Sequence, residues 1–271
     1  MFAKPLVMQL DNTSLKMRLP PLWHGHPKLL YTFGWRFDPE LPFLANHIRT
    51  GSTVLDIGAN VGTWSLILAN AVGPSGYVLA FEPAVSNFET LRNNVELNSL
   101  RNVLAFNCAL SNLDGKSRLF QDLDPSRNSL GRVADHRRSS CFEEVTIRAL
   151  DSVYEQLSIQ TASVMKIDVE GAEPLVLQGA QHVLERFKPI VMYEINPGAL
   201  DRLGFRCDSA WNILADKGYR FYDLNQNRLK PLLTCPAHMS NVWAIHPASE
   251  LQYWTVEQNR EFVGERSGEA E

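Results

Sequence analysis

Short β-branched apolar runs alternate with segments of helical hydrophobic period along the middle of the chain, and this alternation limits the fold more than any other feature. The runs lie at Thr53–Ile57, Tyr77–Phe81, 103–108, 163–168 and Ile190–Ile195. Between them, residues 63–71, 85–98 and 173–187 repeat apolar side chains at helical spacing. Phe88, Leu91 and Val95 share one face of the second segment. Leu175, Leu177, Ala180, Val183 and Leu184 face inward on the third. Strand and helix in alternation predict a mostly parallel sheet covered on both faces. Residues 210–217 read as a further helix stopped by Gly218. Residues 219–224 and 241–246 then follow as two strands with little helix between them, so they are expected to pair antiparallel. Residues 145–150 read as a short extra strand. The count is an α/β fold with a seven-stranded sheet and an antiparallel terminal strand.

The flanks read differently. Residues 1–45 hold Pro, aromatic and short apolar pieces, and the stretch from Pro20 to Pro27 excludes regular helix. They are expected to form an arm or cap, with 46–250 as the main domain. Residues 251–271 are polar and expected to fray.

In such a sheet the ligand lies beyond the carboxyl ends of the strands, so the residues just past each strand carry the chemistry. The first strand runs into DIGANVG, residues 56–62. Gly58 allows the sharp turn out of the strand, and Gly62 lets the next helix begin close to the sheet. Asn60 stands where a dinucleotide site needs its middle glycine. A Cβ there obstructs a pyrophosphate but not a ligand without one, which favours S-adenosylmethionine over a nicotinamide dinucleotide. Glu82, about twenty residues on, is placed to hold a ribose diol. Cys108, Ala109, Leu110 and Ser111 form an expected loop beside the adenine, with the first three as its apolar wall. The densest acidic cluster is KIDVEGAE, residues 166–173. Asp168 and Glu170 are expected at the reaction centre. Glu173 opens the next helix, where the dipole would stabilise a carboxylate, so a structural role and a role at the site are both open for it. Glu194, at the end of the fifth strand, is the further candidate for acceptor binding or base work; a solvated strand end is the alternative.

Together VLDIGANVG (54–62), FEP (81–83), ALS (109–111) and KIDVEGAE (166–173) resemble the FkbM family of methyltransferases, over roughly residues 50–200. RALDS (148–152), with Asp151 in place, resembles the strand before that family's fourth motif. The resemblance implies a class I methyltransferase Rossmann-like fold with S-adenosyl-L-methionine as donor. It implies an oxygen acceptor on a sugar, lipid or secondary metabolite, that is, a small molecule or a glycan or lipid. The donor-binding set it suggests is Asp56, Gly58, Ala59, Asn60, Gly62, Glu82, Ala109, Ser111 and Asp168. Asp168, Glu170 and Glu194 are the catalytic candidates. Residues 1–45 and those beyond about 205 carry no family signature and are expected to shape the acceptor pocket.

Composition narrows the alternatives. A net charge of -4 gives no basic field, so nucleic acid is not the expected partner. No apolar run reaches the length of a membrane span, and residues 1–10 do not form a secretion signal, so a cytoplasmic enzyme is expected. Cys108, Cys141, Cys207 and Cys235 show no C-x-x-C spacing and read as free thiols. The 7 histidines, His24, His26, His47, His136, His182, His238 and His246, lack metal-site spacing. No metal site is expected, although a divalent ion bridging Asp168 and a substrate diol stays open. His24 and His26 are lid candidates, and Arg132, Arg137 and Arg138 are candidate contacts to an anionic substrate. Two other functions remain: a nicotinamide-dependent oxidoreductase, which lacks a Tyr-x-x-x-Lys pair here, and a non-catalytic nucleoside-binding module.

Overall fold

The computed structural model describes residues 5–20, 26–120, 128–131 and 141–249. His24, His136, Arg132, Arg137, Arg138 and the tail 251–271 lie outside these residues. In chain order the flank comes first: β1 (Leu6–Gln9), β2 (Lys16–Leu19), α1 (His26–Phe33), a 3-10 turn (Trp35–Phe37) and α2 (Glu40–His47). The alternating region follows with β3 (Thr53–Ile57), α3 (Thr63–Val72), β4 (Tyr77–Phe81), α4 (Val85–Leu97) and β5 (Val103–Phe106). Then come β6 (Ala109–Ser111), β7 (Gly115–Phe120), β8 (Phe142–Ala149), α5 (Leu150–Leu157) and β9 (Val164–Ile167). The chain continues through α6 (Glu173–Gln178), α7 (Gln181–Phe187), β10 (Ile190–Ile195), α8 (Pro197–Arg202) and α9 (Asp208–Ala215). It closes on β11 (Arg220–Asn225), β12 (Arg228–Leu232) and β13 (Ser240–Ile245).

The central sheet has 8 strands in the order β12-β11-β13-β10-β9-β3-β4-β5. Strands β10, β9, β3, β4 and β5 run parallel. All five residues of β3 are buried, as a strand covered on both faces requires. The expected seven strands become eight because residues 228–232 turn back antiparallel on β11. Pro231 there removes a donor, which an edge strand tolerates. The expected pairing of the last two long strands is present, Arg220 opposite Ile245. The expected antiparallel terminal strand is β13. β13 inserts between β10 and β11, and Trp243 in it is fully buried.

Two further expectations are corrected. The segment 173–187 is two helices rather than one, broken at Gly179. A Cβ on Gly179 would lie 2.0 Å from the Ser111 carbonyl oxygen, so the backbones touch where only glycine fits. Residues 109–111 are not loop. They form β6, paired parallel with β8, and β8 pairs antiparallel with β7 in a separate 3-stranded sheet. The extra strand expected at 145–150 is β8. Strand β5 stops at Phe106 because the next residue, Asn107, turns its amide to the Glu82 and Pro83 carbonyls, each at 2.9 Å.

The N-terminal flank packs on the domain. Asn94 on α4 and Asn98 at its C-cap act as a partner strand for β2. Arg18 N donates to Asn94 Oδ1 and Lys16 N to Asn98 Oδ1, both at 2.7 Å. The two amides return bonds to the Arg18 and Lys16 carbonyls. Leu10, Met17 and Leu19 are fully buried in the same core cluster as Val54 and Leu66. Farther along the flank, α2 packs on α3. Among the described residues no helix is long and apolar enough to cross a membrane.

Candidate active site

The parallel strands all end at one cavity. It is lined by the β3 exit (Ile57 to Asn60), the β4 exit (Phe81 to Pro83), Cys108 to Leu110, the β9 exit (Asp168 to Glu170) and Glu194 on β10. Leu119 of β7 and Leu130, packed with Ala84, close the apolar side. The small sheet therefore supplies part of the wall. Trp64 and Thr63 enter from the first turn of α3, and Asp38 from the N-terminal flank.

The glycine loop is a run of left-handed backbone: φ is 78° at Gly58, 52° at Asn60 and 95° at Gly62. Gly58 is required by contact as well as by φ. A Cβ there would sit 1.9 Å from the Asp168 carbonyl oxygen. At Gly62 a Cβ would meet Leu91 Cδ1 at 2.5 Å, so this glycine serves the packing of α3 on α4 and does not line the cavity.

Glu82 is buried and holds the loop. Its Oε2 accepts from Asn60 N at 2.9 Å, and its Oε1 accepts from Ala84 N at 3.0 Å and Asn87 Nδ2 at 3.4 Å. Burial pushes its pKa up to about 7 despite these three donors and Lys166. Three of its roughly four acceptor positions are taken, so it has room for one hydroxyl rather than a whole diol.

Beneath the loop lies a buried ion pair. Asp56 is fully buried; its Oδ2 accepts from Ser65 Oγ at 2.6 Å and its Oδ1 lies 3.2 Å from Lys166 Nζ. Lys166 Nζ also donates to the Gly58 carbonyl at 2.8 Å and lies 3.8 Å from Asp168 Oδ2. Burial opposes its charge, but Asp56 and then Asp168 outweigh that and raise its pKa. Asp56 is thus below the cavity floor, and Lys166 is the residue of this pair that reaches the cavity.

Three carboxylates face each other at the far side. The Asp168 side chain is 48% exposed. Glu170 has φ 52°; its Oε2 accepts from Asn196 Nδ2 at 3.2 Å and its carbonyl from Ser129 Oγ at 2.7 Å. Glu194 is half-buried, and its Oε2 has no hydrogen-bond partner. Burial, then Asp168, Glu170 and Glu173, push its pKa up to about 8, against one lowering contact from Asn196. Glu173 is buried, off the cavity, and ties the β9 exit: its Oε1 accepts from Val169 N and Gly171 N, both at 3.2 Å. Burial raises it to about 7. Among the described residues no three His, Cys, Asp or Glu side chains converge as metal ligands.

Of the residues expected from the sequence, Gly58, Ala59, Asn60, Glu82, Ala109, Asp168, Glu170 and Glu194 line one cavity, while Asp56, Gly62 and Ser111 do not. Lys166, Trp64 and Asp38 were not anticipated. Lys166 had a signal: a lone charge inside the otherwise apolar strand VMKI.

The raised carboxylates fix a sign for stability. Glu82, Glu173 and Glu194 bind protons more tightly folded than unfolded. The folded state therefore carries extra protons between their ordinary range near 4.5 and their folded values of about 7 to 8. Stability falls as pH rises through that window. Scanning calorimetry is expected to give a Tm a few degrees lower at pH 8.5 than at pH 5.5. A Tm that rises across this range would contradict the burial of these groups.

The FkbM methyltransferase domain matches residues 56–221, more than half of the 271-residue chain. Methyltransferase 1 of Beauveria bassiana is 30% identical over 146 residues, covering 47% of this chain and 58% of that protein. Methyltransferase sdnD of Sordaria araneosa is 30% identical over 156 residues, covering 46% of this chain and 59% of its own length. The match thus spans less than two thirds of these curated relatives. A methyltransferase FkbM structure from Methylobacillus flagellatus superposes with TM-score 0.46 at 17% identity, over 72% of this chain and 44% of that one. With its covered, mostly parallel sheet and antiparallel last strand, the fold is that of the class I methyltransferases, and the chain belongs to the FkbM methyltransferase domain family.

Proposed function

We propose that this chain is an S-adenosylmethionine-dependent O-methyltransferase acting on a hydroxyl of a small molecule, glycan or lipid. The observation that carries the reading is Glu194: a carboxylate with one oxygen unpartnered, facing the cavity and titrating near 8. An ordinary carboxylate is too weak a base for an alcohol, and one held near 8 is a stronger one.

The cavity fits the donor. The loop residues Gly58, Ala59 and Asn60 line it, Glu82 has one acceptor position open to a ribose hydroxyl, and Cys108 to Leu110, Leu119 and Leu130 offer an apolar slot for a base. When bound, S-adenosylmethionine supplies a methyl group already activated by a sulfonium charge. Glu194 takes the proton of the acceptor hydroxyl as its oxygen begins to bond to carbon. Asp168, half-exposed at the β9 exit, offsets positive charge across the cavity. Glu170, its carboxylate held by Asn196, orients the acceptor. Holding two reactants in line is the larger part of such catalysis.

Calorimetric titration with S-adenosylmethionine and, separately, with NADH tests the donor. Micromolar binding of the first and none of the second is expected. Binding of NADH alone would make the chain an oxidoreductase and overturn the reading.

A further inference from the structure

The cavity lining also brings together an acid and a base from distant parts of the chain, Asp38 and Lys166, joined through Trp64, with Asp168 3.8 Å from the ammonium. Asp38 is fixed by two donors: Trp64 Nε1 reaches its Oδ2 at 3.2 Å and Glu40 N reaches its Oδ1 at 3.1 Å. The same indole presents its ring to Lys166, whose Nζ lies 5.9 Å from the ring centroid. Lys166 uses one N–H on the Gly58 carbonyl and one toward Asp56; Asp168, at 3.8 Å, is beyond hydrogen-bond distance. An ammonium has three N–H donors, so one is left for an anion.

We propose that Asp38 and Lys166 form the subsite for the amino-acid end of the methyl donor, Asp38 receiving its α-ammonium and Lys166 its α-carboxylate. The inference rests on the donor assignment above and adds to it where the donor's zwitterion lies. A zwitterion needs one fixed charge of each sign side by side, and Asp38 and Lys166 supply that pair. The spacing agrees: Glu82 follows β4 and Lys166 is in β9, with β3 between them. Two strand spacings are about 10 Å, comparable with the reach from a ribose to the far end of the amino-acid chain. The subsite also gives the N-terminal flank a function, since Asp38 comes from outside the segment matched by the family, residues 56–221.

A purely structural role is the competitor: Lys166 as counter-ion to Asp56, and Asp38 as a clamp on Trp64. Two ligands separate them. S-adenosylhomocysteine carries the amino-acid end, and 5′-methylthioadenosine has the same nucleoside without it. For Asp38→Asn, which keeps an acceptor for Trp64, calorimetry is expected to show about tenfold weaker binding of S-adenosylhomocysteine, the scale of one charge-assisted hydrogen bond. Binding of 5′-methylthioadenosine is expected to stay within about twofold of the unmodified protein. Lys166→Met should show the same selectivity. It also strands the buried Asp56, so Asp38→Asn decides if that variant does not fold. Equal losses for both ligands, or no loss for either, overturn the subsite. Failure of the unmodified protein to bind either ligand overturns the donor assignment instead.

Discussion

Glu194→Gln is expected to lower kcat by about 10²–10³-fold while leaving the dissociation constant for S-adenosylmethionine within about threefold. Three observations set the size. The carboxylate has an oxygen with no partner, it lies beside Asp168 and Glu170, and it titrates near 8. A group acting as a base must be ionised, so log kcat should rise with unit slope below pH 8 and level off above it. The amide is nearly isosteric and cannot take a proton, so the variant should lose that limb as well as the rate. Single-turnover measurement across pH 6–9.5 reads both effects. If Glu170→Gln loses the limb and Glu194→Gln keeps it, the base is Glu170. If neither variant changes turnover, proton removal does not belong to this cluster.

Gly58→Ala is the second large effect, and it tests the scaffold. The added Cβ meets the Asp168 carbonyl oxygen at 1.9 Å and its carbon at 2.9 Å. Both atoms are backbone, so no rotamer change relieves the overlap. β3 and β9 pair directly, and Asp168 N donates to the Ile57 carbonyl at 3.0 Å, so separation of the strand ends breaks the ladder. The left-handed φ of 78° adds strain for any residue with a Cβ. A loss of more than about 3 kcal/mol of stability is expected, together with loss of donor binding. Urea denaturation and ligand titration measure the two. A variant folded within about 1 kcal/mol of the parent would mean that the loop and strand do not approach as described.

Much of this site could be read along the chain because its parts are local. Gly58, Asn60 and Glu82 follow directly from two strands whose apolar runs are plain in the sequence. Glu170, past β9, and Glu194, near the end of β10, also line the cavity, where the rule that ligands lie at the carboxyl ends expects them. The rule overreached at Asp56 and Ser111. It marks which residues lie near strand exits and not which way a side chain points. Asp56 points down to Ser65 and Lys166, and Ser111 belongs to β6 with its carbonyl against Gly179. Glu173 was open between two roles, and its bonds to Val169 N and Gly171 N place it in the β9 exit turn.

The sequence by itself determined the alternation of elements, the mostly parallel sheet, the position of the glycine loop and the identity of the acids at the ends of β4, β9 and β10. Periodicity and strand-end chemistry act over a few residues, so they are written in neighbouring positions. The eighth strand, the place of β13 inside the sheet, the helix break at Gly179 and the arrival of Asp38 in the cavity were decided only by the tertiary structure. So were the pairing of Lys166 with Asp56 and the high pKa of Glu194. Each depends on groups far apart in the chain brought within a few ångströms, and on burial, which raises the energy of a charge only once the fold has removed the water around it.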